Sequence, residues 1–232
     1  MEPAHWAASA TRLAGESRSA WLALKATYER LGAQIELQPP QPGLPDLVFT
    51  ANAGVVLDRT ALVSRFKCEP RQGEATVDRA FFEQLRARGV IDTVVDTPAG
   101  LCFEGAGDAI WDATRGVIWC GWGQRSDREM ARVIEGVFGV PAVSLELVDP
   151  RFYHLDTCMC VLERGDVMVY PPAFSPASLA TLEELVGREH LIVAAAEDAL
   201  HLAVNSVCLG TDVVLCHASQ ALRAQLAARG YR

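Results

Sequence analysis

The strongest constraint on the fold of this chain is a unit of two strands, a helix and a further strand that recurs four times. The units begin at residues 46, 104, 153 and 198, at intervals of 45–58 residues. Each unit joins short apolar segments of strand length to an amphipathic helix. A period of this length is typical of a repeat architecture that is stacked or closed on itself, and it disfavours a doubly wound sheet. The sequence therefore predicts an α/β repeat protein.

Hydrophobic periodicity sets the predicted boundaries. Strands are predicted at 46–50, 61–63, 90–95, 104–110, 116–120, 142–147, 153–162, 167–170, 190–195, 198–207 and 212–216. Helices are predicted at 76–88, 127–138, 175–186 and 219–228. Before the first unit, a helix at 16–31 ends at Gly32 and a strand follows at 33–37. Because the segment 16–37 lacks a strand pair and the fourth unit lacks its last strand, we expect one domain, residues 1–232, truncated at both ends.

Composition indicates a globular protein with a small cationic ligand. Half of the residues are hydrophobic and 22% are charged, which is enough for a packed core. The net charge of −8 disfavours nucleic acid or an anionic membrane surface as the partner. No apolar run approaches 18 residues, and the first five residues do not resemble a secretory signal. A cytoplasmic protein is the expectation.

Cysteine usage indicates reduced thiols. The chain has seven cysteines, an odd number, and most lie in apolar segments, which is untypical of a disulfide framework. The spacing of Cys158 and Cys160 is one residue short of a zinc pair, and no second pair accompanies it. We therefore expect no structural metal ion.

Polar residues recur in the first predicted strand of each unit. The segment 152–160 is predicted to be a strand after Pro150, and alternation would place His154 and Asp156 on one face. If equivalent strands face a common axis, their polar groups converge on one pocket. Loops carrying Arg71 and Arg125 would add guanidinium groups suited to a substrate carboxylate. The recurring residues are Asp46, Asn52, Glu104, Asp108, His154, Asp156 and Asn205.

Four motifs, in order, resemble the guanidine-modifying (pentein) superfamily. They are PDLVFTAN at 45–52, RQGE at 71–74, FEGAGD at 103–108 and HLDT at 154–157. The closest resemblance is to its dimethylarginine dimethylaminohydrolase and amidinotransferase-like branch, and it covers the chain from residue 45 onward. It implies an α/β propeller of ββαβ repeats with pseudo-fivefold symmetry, of which this chain holds an incomplete fifth unit.

The resemblance also implies a chemistry: cofactor-free hydrolysis of arginine-like guanidines to a citrulline-type product by a Cys-His-Glu mechanism. His154 would be the acid and base, and Glu104 its carboxylate partner. Asp46 would hold the substrate guanidinium, and Asp108 would lie beside Glu104. Arg125, and less well Arg71, would bind the substrate carboxylate. The partner would be a small guanidino compound, and a homodimer is left open.

The chain departs from the family pattern at three places. Glu104 lies four residues before Asp108, where many relatives have a spacing of three, which leaves the register of Glu104 open. Asn52 occupies a position where dimethylarginine hydrolases have an aspartate, and an amide carries no charge, so the substrate stays open. The nucleophilic cysteine of the family is expected beyond Arg232. Within the chain, Cys208, Cys158 and Cys160 are the thiols to consider, although buried apolar thiols are usually inert. An amidinotransferase or a non-catalytic binding protein on the same scaffold are the alternatives.

Overall fold

A computed structural model describes residues 3–232, with side chains from residue 9 onward. The chain divides into a segment that ends at Pro39 and a repeat region, Pro40–Arg232. In the first, helix α1 spans Pro3–Arg30, so the predicted start at residue 16 is wrong. Alanine-rich sequence before Gly15 has high helix propensity, which explains the earlier start.

The strand predicted at 33–37 is also wrong, because these residues have no regular secondary structure. An alternating pattern becomes a strand only when a neighbouring strand completes its backbone hydrogen bonds. None pairs with this segment among residues 3–232.

Among residues 3–232, no helix is long and apolar enough to cross a bilayer.

The repeat region forms four small sheets, one for each predicted unit. The first repeat contains β1 (Gly54–Leu57), β2 (Thr60–Val63), α2 (Glu74–Ala87) and β3 (Thr93–Asp96). The second contains β4 (Ala109–Asp112), β5 (Val117–Trp122), α3 (Met130–Phe138) and β6 (Ala142–Glu146). The third contains β7 (Met159–Val161), β8 (Val167–Val169), α4 (Pro176–Val186) and β9 (Leu191–Val193). The fourth contains α5 (Ala196–Leu200), β10 (Val207–Leu209), β11 (Asp212–Val214) and α6 (Gln220–Ala228).

Each of the first three sheets has the same topology. The first two strands form an antiparallel hairpin, and the strand after the helix returns parallel to the second. In the first repeat, Ala61 of β2 pairs with Val56 of β1 on one side and with Val94 of β3 on the other. The predicted ββαβ unit is therefore confirmed as the building block of an α/β fold.

The fourth repeat has the hairpin β10–β11 and the helix α6. After α6, the backbone N–H of Arg232 donates to the carbonyl of Thr211, and its carbonyl accepts from the N–H of Val213. This is the hydrogen-bond pattern of a parallel pair. Arg232 thus pairs with β11 in the way that the strand after the helix pairs with the second hairpin strand in the other repeats.

The largest correction concerns the segments that lead into each hairpin. The strand predicted at 198–207 is wrong, because helix α5 and turns occupy this segment and only Val207 lies in a strand. The predicted strands at 46–50, 104–110 and 153–162 begin instead with 3₁₀ turns at Pro45–Val48 and Thr50–Asn52, at Gly105–Gly107 and at Leu155–Thr157. Alternation therefore does not govern His154 and Asp156. Gly105 shows the physical reason: it has φ +66°, and a Cβ there would lie 2.6 Å from the carbonyl oxygen of Ala51.

The core lies between each sheet and its helix. Trp119 and Ile118 of β5 are completely buried, as are Ile134 of α3 and Leu182 of α4. The apolar faces of the helices are thus packed against the strands, and each fully buried side chain of this size contributes about 1.5–3 kcal/mol. These sheets hold the three turns in fixed positions.

Candidate active site

Three turns from successive repeats meet at one buried site. The amide Nδ2 of Asn52, in the first repeat, donates to the backbone carbonyl of Glu104 in the second over 3.1 Å. The backbone N–H of Leu155, in the third, donates to Oδ1 of Asp108 over 3.0 Å. The sequence expectation that the first segments of the repeats bring their polar groups together therefore agrees with their positions in the structure.

The imidazole of His154 lies between two carboxylates. Its Nδ1 is 3.1 Å from Oδ2 of Asp108, and its Nε2 is 3.3 Å from Oε2 of Glu104. Burial would lower the pKa of His154, but the hydrogen bonds and charges of Asp108 and Glu104 outweigh it and raise the pKa to about 9. The ring is therefore an imidazolium at neutral pH.

The Glu104 side chain is fully buried and yet ionised. Its Oε1 accepts from the backbone N–H of Lys67 over 3.2 Å, and its Oε2 accepts from Nη1 of Arg125 over 2.9 Å. Burial would raise the pKa of Glu104, but the hydrogen bond and charge of His154, together with Arg125, lower it. Glu104 thus pairs with one cation inside the site and another at its edge.

Ser126 links the Asp108 carboxylate to the backbone of Glu104, and it was missed by sequence reasoning. Its hydroxyl donates to Oδ2 of Asp108 over 2.6 Å and accepts from the backbone N–H of Glu104 over 3.0 Å. The only sequence signal was its place next to Arg125 in the loop after β5. A hydroxyl that donates and accepts at once can hold two neighbouring elements in register.

Arg71 lies deeper than the sequence suggested. Its guanidinium forms an ion pair with Glu74 at 2.7 Å and donates to Oδ1 of Asn52 over 2.9 Å. It also stacks over Phe66, with Cζ 4.5 Å from the ring centroid. The side chain is 7% exposed, so these partners occupy it within the protein. Arg71 therefore orients the Asn52 amide towards His154.

Asn52 contacts His154 in a way that depends on protonation. Its Nδ2 lies 3.4 Å from Nε2 of His154. An amide N–H can donate to this nitrogen only when the ring is neutral, because an imidazolium has no acceptor. The contact is therefore a hydrogen bond only after His154 loses its proton.

The remaining predicted residues lie at the edge of the site. Arg125 is partly exposed and stacks over Tyr153, with Cζ 4.6 Å from the ring centroid. The Asp46 carboxylate is partly exposed and forms no hydrogen bond within residues 9–232, while its backbone carbonyl accepts from Arg71. Both groups have capacity for a ligand.

Sequence reasoning placed Asp156, which belongs to the HLDT motif, in the pocket with His154 but assigned it no individual role. It is partly buried, and the amide of Asn205 donates to its backbone carbonyl over 3.1 Å. Burial raises the pKa of Asp156 to about 7, with the charge of Asp108 acting in the same direction and His154 opposing. A cation bound nearby would lower this pKa again.

None of the three thiols considered from the sequence is activated. Burial raises the pKa of Cys158 well above its usual value and that of Cys160 to about 12, and it also raises that of Cys208. Each thiol donates to backbone carbonyls, of Leu155, Ser206 and Gly210 respectively. They remain protonated at neutral pH. Among the described residues, no group of three or more His, Cys, Asp or Glu is arranged to hold a metal ion.

The turn at Gly107 leads to a first prediction about stability. A Cβ at Gly107 would lie 2.3 Å from Nδ2 of Asn52. We expect Gly107→Ala to lower the free energy of unfolding by about 1–3 kcal/mol, as overpacking does. Gly136→Ala, in α3 with no atom within 4 Å, is the matched control and should stabilise by about 0.5–1 kcal/mol. Equal urea midpoints for Gly107→Ala and the wild type would contradict the close packing.

The chain is similar to known proteins over most of its length. The family described as N,N dimethylarginine dimethylhydrolase, eukaryotic, matches residues 5–228. The chain is 39% identical over 212 residues to the bifunctional arginine dihydrolase/ornithine cyclodeaminase ArgZ of Synechocystis sp., covering 91% of this chain and 29% of ArgZ. It is 39% identical over 215 residues to the N(G),N(G)-dimethylarginine dimethylaminohydrolase of Mycobacterium tuberculosis, covering 93% of this chain and 68% of that protein.

Solved structures of the N-terminal domain of ArgZ, an arginine dihydrolase from cyanobacteria, superpose with a TM-score of 0.87 at 38% identity, over 91% of this chain and 76% of that one. One is a Cys→Ser variant bound to substrate, and another is an Asn→Ser variant covalently bonded to a reaction intermediate. The chain spans less than a third of the length of full ArgZ. The resemblance inferred from the four motifs is confirmed: the chain belongs to the N,N-dimethylarginine dimethylhydrolase family.

Proposed function

We propose that this chain carries the guanidine-binding and acid–base machinery of a hydrolase that acts on arginine-like guanidines. The observation that supports this most directly is the imidazolium of His154 held between Glu104 and Asp108 in a buried site. Two buried carboxylates around one imidazole supply a proton donor at neutral pH and a base after the proton has left. A purely structural histidine does not need a second carboxylate.

In the proposed reaction a cysteine thiolate adds to the guanidinium carbon. The C–N bond then breaks, and His154 gives its proton to the departing amine, leaving a covalent S-alkylthiouronium intermediate. Water adds to the same carbon while neutral His154 takes its proton, and the C–S bond breaks to return the thiolate. Glu104 and Asp108 hold the ring through both proton transfers. The steps balance without a cofactor.

The substrate guanidinium is proposed to bind beside Asp156 and Asp46. Asp156 has a pKa of about 7 in the empty site, so a bound cation would favour its ionised form. Asp46 presents a carboxylate with no hydrogen bond among the described residues. Arg125 is proposed to bind the substrate carboxylate because its guanidinium lies at the edge of the site. We assign Arg71 to positioning Asn52 instead.

The thiolate is proposed to come from a cysteine other than Cys158, Cys160 or Cys208, because burial keeps these protonated. A nucleophile beyond Arg232 stays a prediction. The substrate complex of the ArgZ cysteine variant supports a cysteine in this role.

The proposed hydrolysis has two candidate products, which can be distinguished. A single hydrolysis gives a citrulline-type ureido product, which is the first expectation. Asn52 favours a second candidate, an arginine dihydrolase that removes both terminal nitrogens. A neutral amide can hydrogen-bond a neutral ureido group as well as a guanidinium, whereas a carboxylate favours the cation. The similarity to ArgZ, an arginine dihydrolase, supports this candidate.

The decisive experiment incubates full-length protein separately with arginine, dimethylarginine and succinylarginine, and quantifies citrulline, ornithine, ammonia and dimethylamine. Citrulline or ornithine from arginine supports the hydrolase, and dimethylamine from dimethylarginine supports the dimethylaminohydrolase specificity. Product formed only when an amine acceptor is added would indicate an amidinotransferase. No turnover of any guanidine would leave a non-catalytic binding protein and overturn the proposal.

Arg125 provides a prediction about the substrate carboxylate. Loss of a charge-assisted hydrogen bond costs about 1.5–3 kcal/mol, so Arg125→Gln should lower kcat/KM for arginine by about 10–100-fold, mainly through KM. Arg128→Gln is the matched control, because this exposed arginine of the same loop stacks on Trp122. Equal kcat/KM values for Arg125→Gln and the control would contradict the assignment.

We also propose that the four repeats belong to a single domain built as a five-unit α/β propeller with pseudo-fivefold symmetry. The three equivalent ββαβ sheets support this, and so does the partial pairing of Arg232 with β11. A crystal structure of the full-length protein tests the propeller. Light scattering tests the homodimer, and cell fractionation tests a cytoplasmic location.

A further inference from the structure

The first repeat contains a cavity of about 640 Å³ that the proposed catalytic residues do not line. It lies between the first half of α2, the ends of β2 and β3, and the loop that leads to β4. Its walls include Ser64, Arg65, Thr76, Asp96 and Leu101. This volume is in the range of sites that hold small organic molecules.

One cation on the wall is available to a ligand. Arg79 is neutralised by Asp96 and by Glu83 at 3.2 Å. By contrast, the side chain of Arg65 is exposed and forms no hydrogen bond or ion pair within residues 9–232, while its backbone pairs with Phe103. The cavity therefore offers a single uncompensated positive charge.

A second polar group on the wall also lacks a partner. The hydroxyl of Ser64 is buried, with the residue 4% exposed, and it has no hydrogen-bond partner among the described residues. Buried hydroxyl groups are normally hydrogen-bonded, and Ser64 is one of the residues that line the cavity, so a polar ligand there could supply the missing partner. This observation is independent of Arg65.

The first turn of α2 adds to the same preference. Gly73 at the N-cap has no side chain to accept from the first N–H groups of the helix, and Thr76 of this turn lines the cavity. The amino end of a helix favours a negative charge. The lining also includes the apolar residues Val63, Phe66 and Leu101.

We propose that this cavity binds a small organic carboxylate, with its charge on Arg65 and the first turn of α2 and its apolar body against Phe66 and Leu101. One free guanidinium matches one negative charge, and the nearby Asp96 disfavours a dianion. Ser64 completes the polar end. The proposal stands whether or not the proposed hydrolase activity holds.

Calorimetry on the full-length protein tests the site with three probes: 4-methylpentanoate, the neutral 4-methylpentanamide and inorganic phosphate. We expect saturable binding of the carboxylate, at least about 10-fold tighter than either other probe, because each lacks the charge or the apolar body. Amide or phosphate binding as tight as that of the carboxylate would overturn the proposal, as would no binding of the carboxylate.

Variants locate the binding. Arg65→Gln should weaken carboxylate binding by about 10-fold or more, through loss of a charge-assisted hydrogen bond. Ala75→Leu should abolish it by filling the cavity while leaving every charge in place. Arg86→Gln, at the far end of α2, and Arg125→Gln, in the proposed active site, should leave it unchanged. Unchanged binding in Arg65→Gln, or its loss in Arg125→Gln, would refute the assignment.

Discussion

Replacement of His154 by alanine is expected to lower kcat/KM of the full-length protein for its guanidine substrate by about 10³-fold or more. The expected loss follows from the removal of both proton transfers, each of which typically contributes about 10²–10⁴-fold. The measurement is product formation from arginine at pH 7 and at pH 9. Added hydroxide should recover little of the loss, because the leaving amine still lacks a proton donor.

The control separates chemistry from folding. Removal of His154 leaves two carboxylates in a buried site, so a stability cost is expected as well and must be measured by thermal denaturation. His190→Gln is the matched variant, since His190 lies 3.2 Å from the buried Asp166 in the third repeat. A His154→Ala protein that is folded and within 10-fold of wild-type activity would exclude His154 as the acid and base.

The repeat could be predicted from sequence because it depends on local patterns. Apolar periodicity located α2, α3, α4 and α6 within a few residues, and short apolar runs located most of the strands. The entry to each hairpin could not be predicted in the same way. The turn at Gly105 is fixed by its positive φ and by contact with Ala51 in another repeat, and neither is visible in a linear pattern.

The residues of the candidate site could be predicted from their motifs, whereas the hydrogen bonds and ion pairs that connect them could not. Glu104, Asp108 and His154 were identified because the resemblance assigned them together. Ser126 was missed because a serine in a loop has no distinctive spacing, although its hydroxyl joins two of the carboxylate-bearing elements. Arg71 was expected to face the substrate, but the acidic partner three residues later, Glu74, holds it within the protein.

The arrangement of negative and positive side chains in the site explains why these residues occur together. Two anions, Glu104 and Asp108, surround the cation of His154, and Arg125 adds a second cation at the edge. Each buried charge is thus paired and hydrogen-bonded, as buried ions must be. The proposed binding of a guanidinium would add one positive charge, which the carboxyl group of Asp156 can balance by losing its proton.

The Glu104→Gln variant is expected to shift the titration of His154. In the wild type, an NMR titration of the ring should have its midpoint at about pH 9, and in Glu104→Gln the midpoint should fall by about 1–2 pH units. Glu183→Gln, which removes a surface carboxylate paired with the exposed Arg188, should leave it unchanged. A wild-type midpoint near 6.5 would show that the two carboxylates do not act on the ring as the geometry requires.

The same shift predicts how stability depends on pH. Because the folded pKa of His154 lies above the unfolded value of about 6.5, the protonated ring stabilises the fold fully below that pH, and this contribution is lost as the pH rises through about 9. The loss is on the order of 3 kcal/mol at 1.36 kcal/mol per pKa unit. In Glu104→Gln the decline should be smaller and complete at lower pH. Urea denaturation from pH 6 to pH 10 measures both slopes, and parallel curves for the two proteins would contradict the pairing of Glu104 with His154.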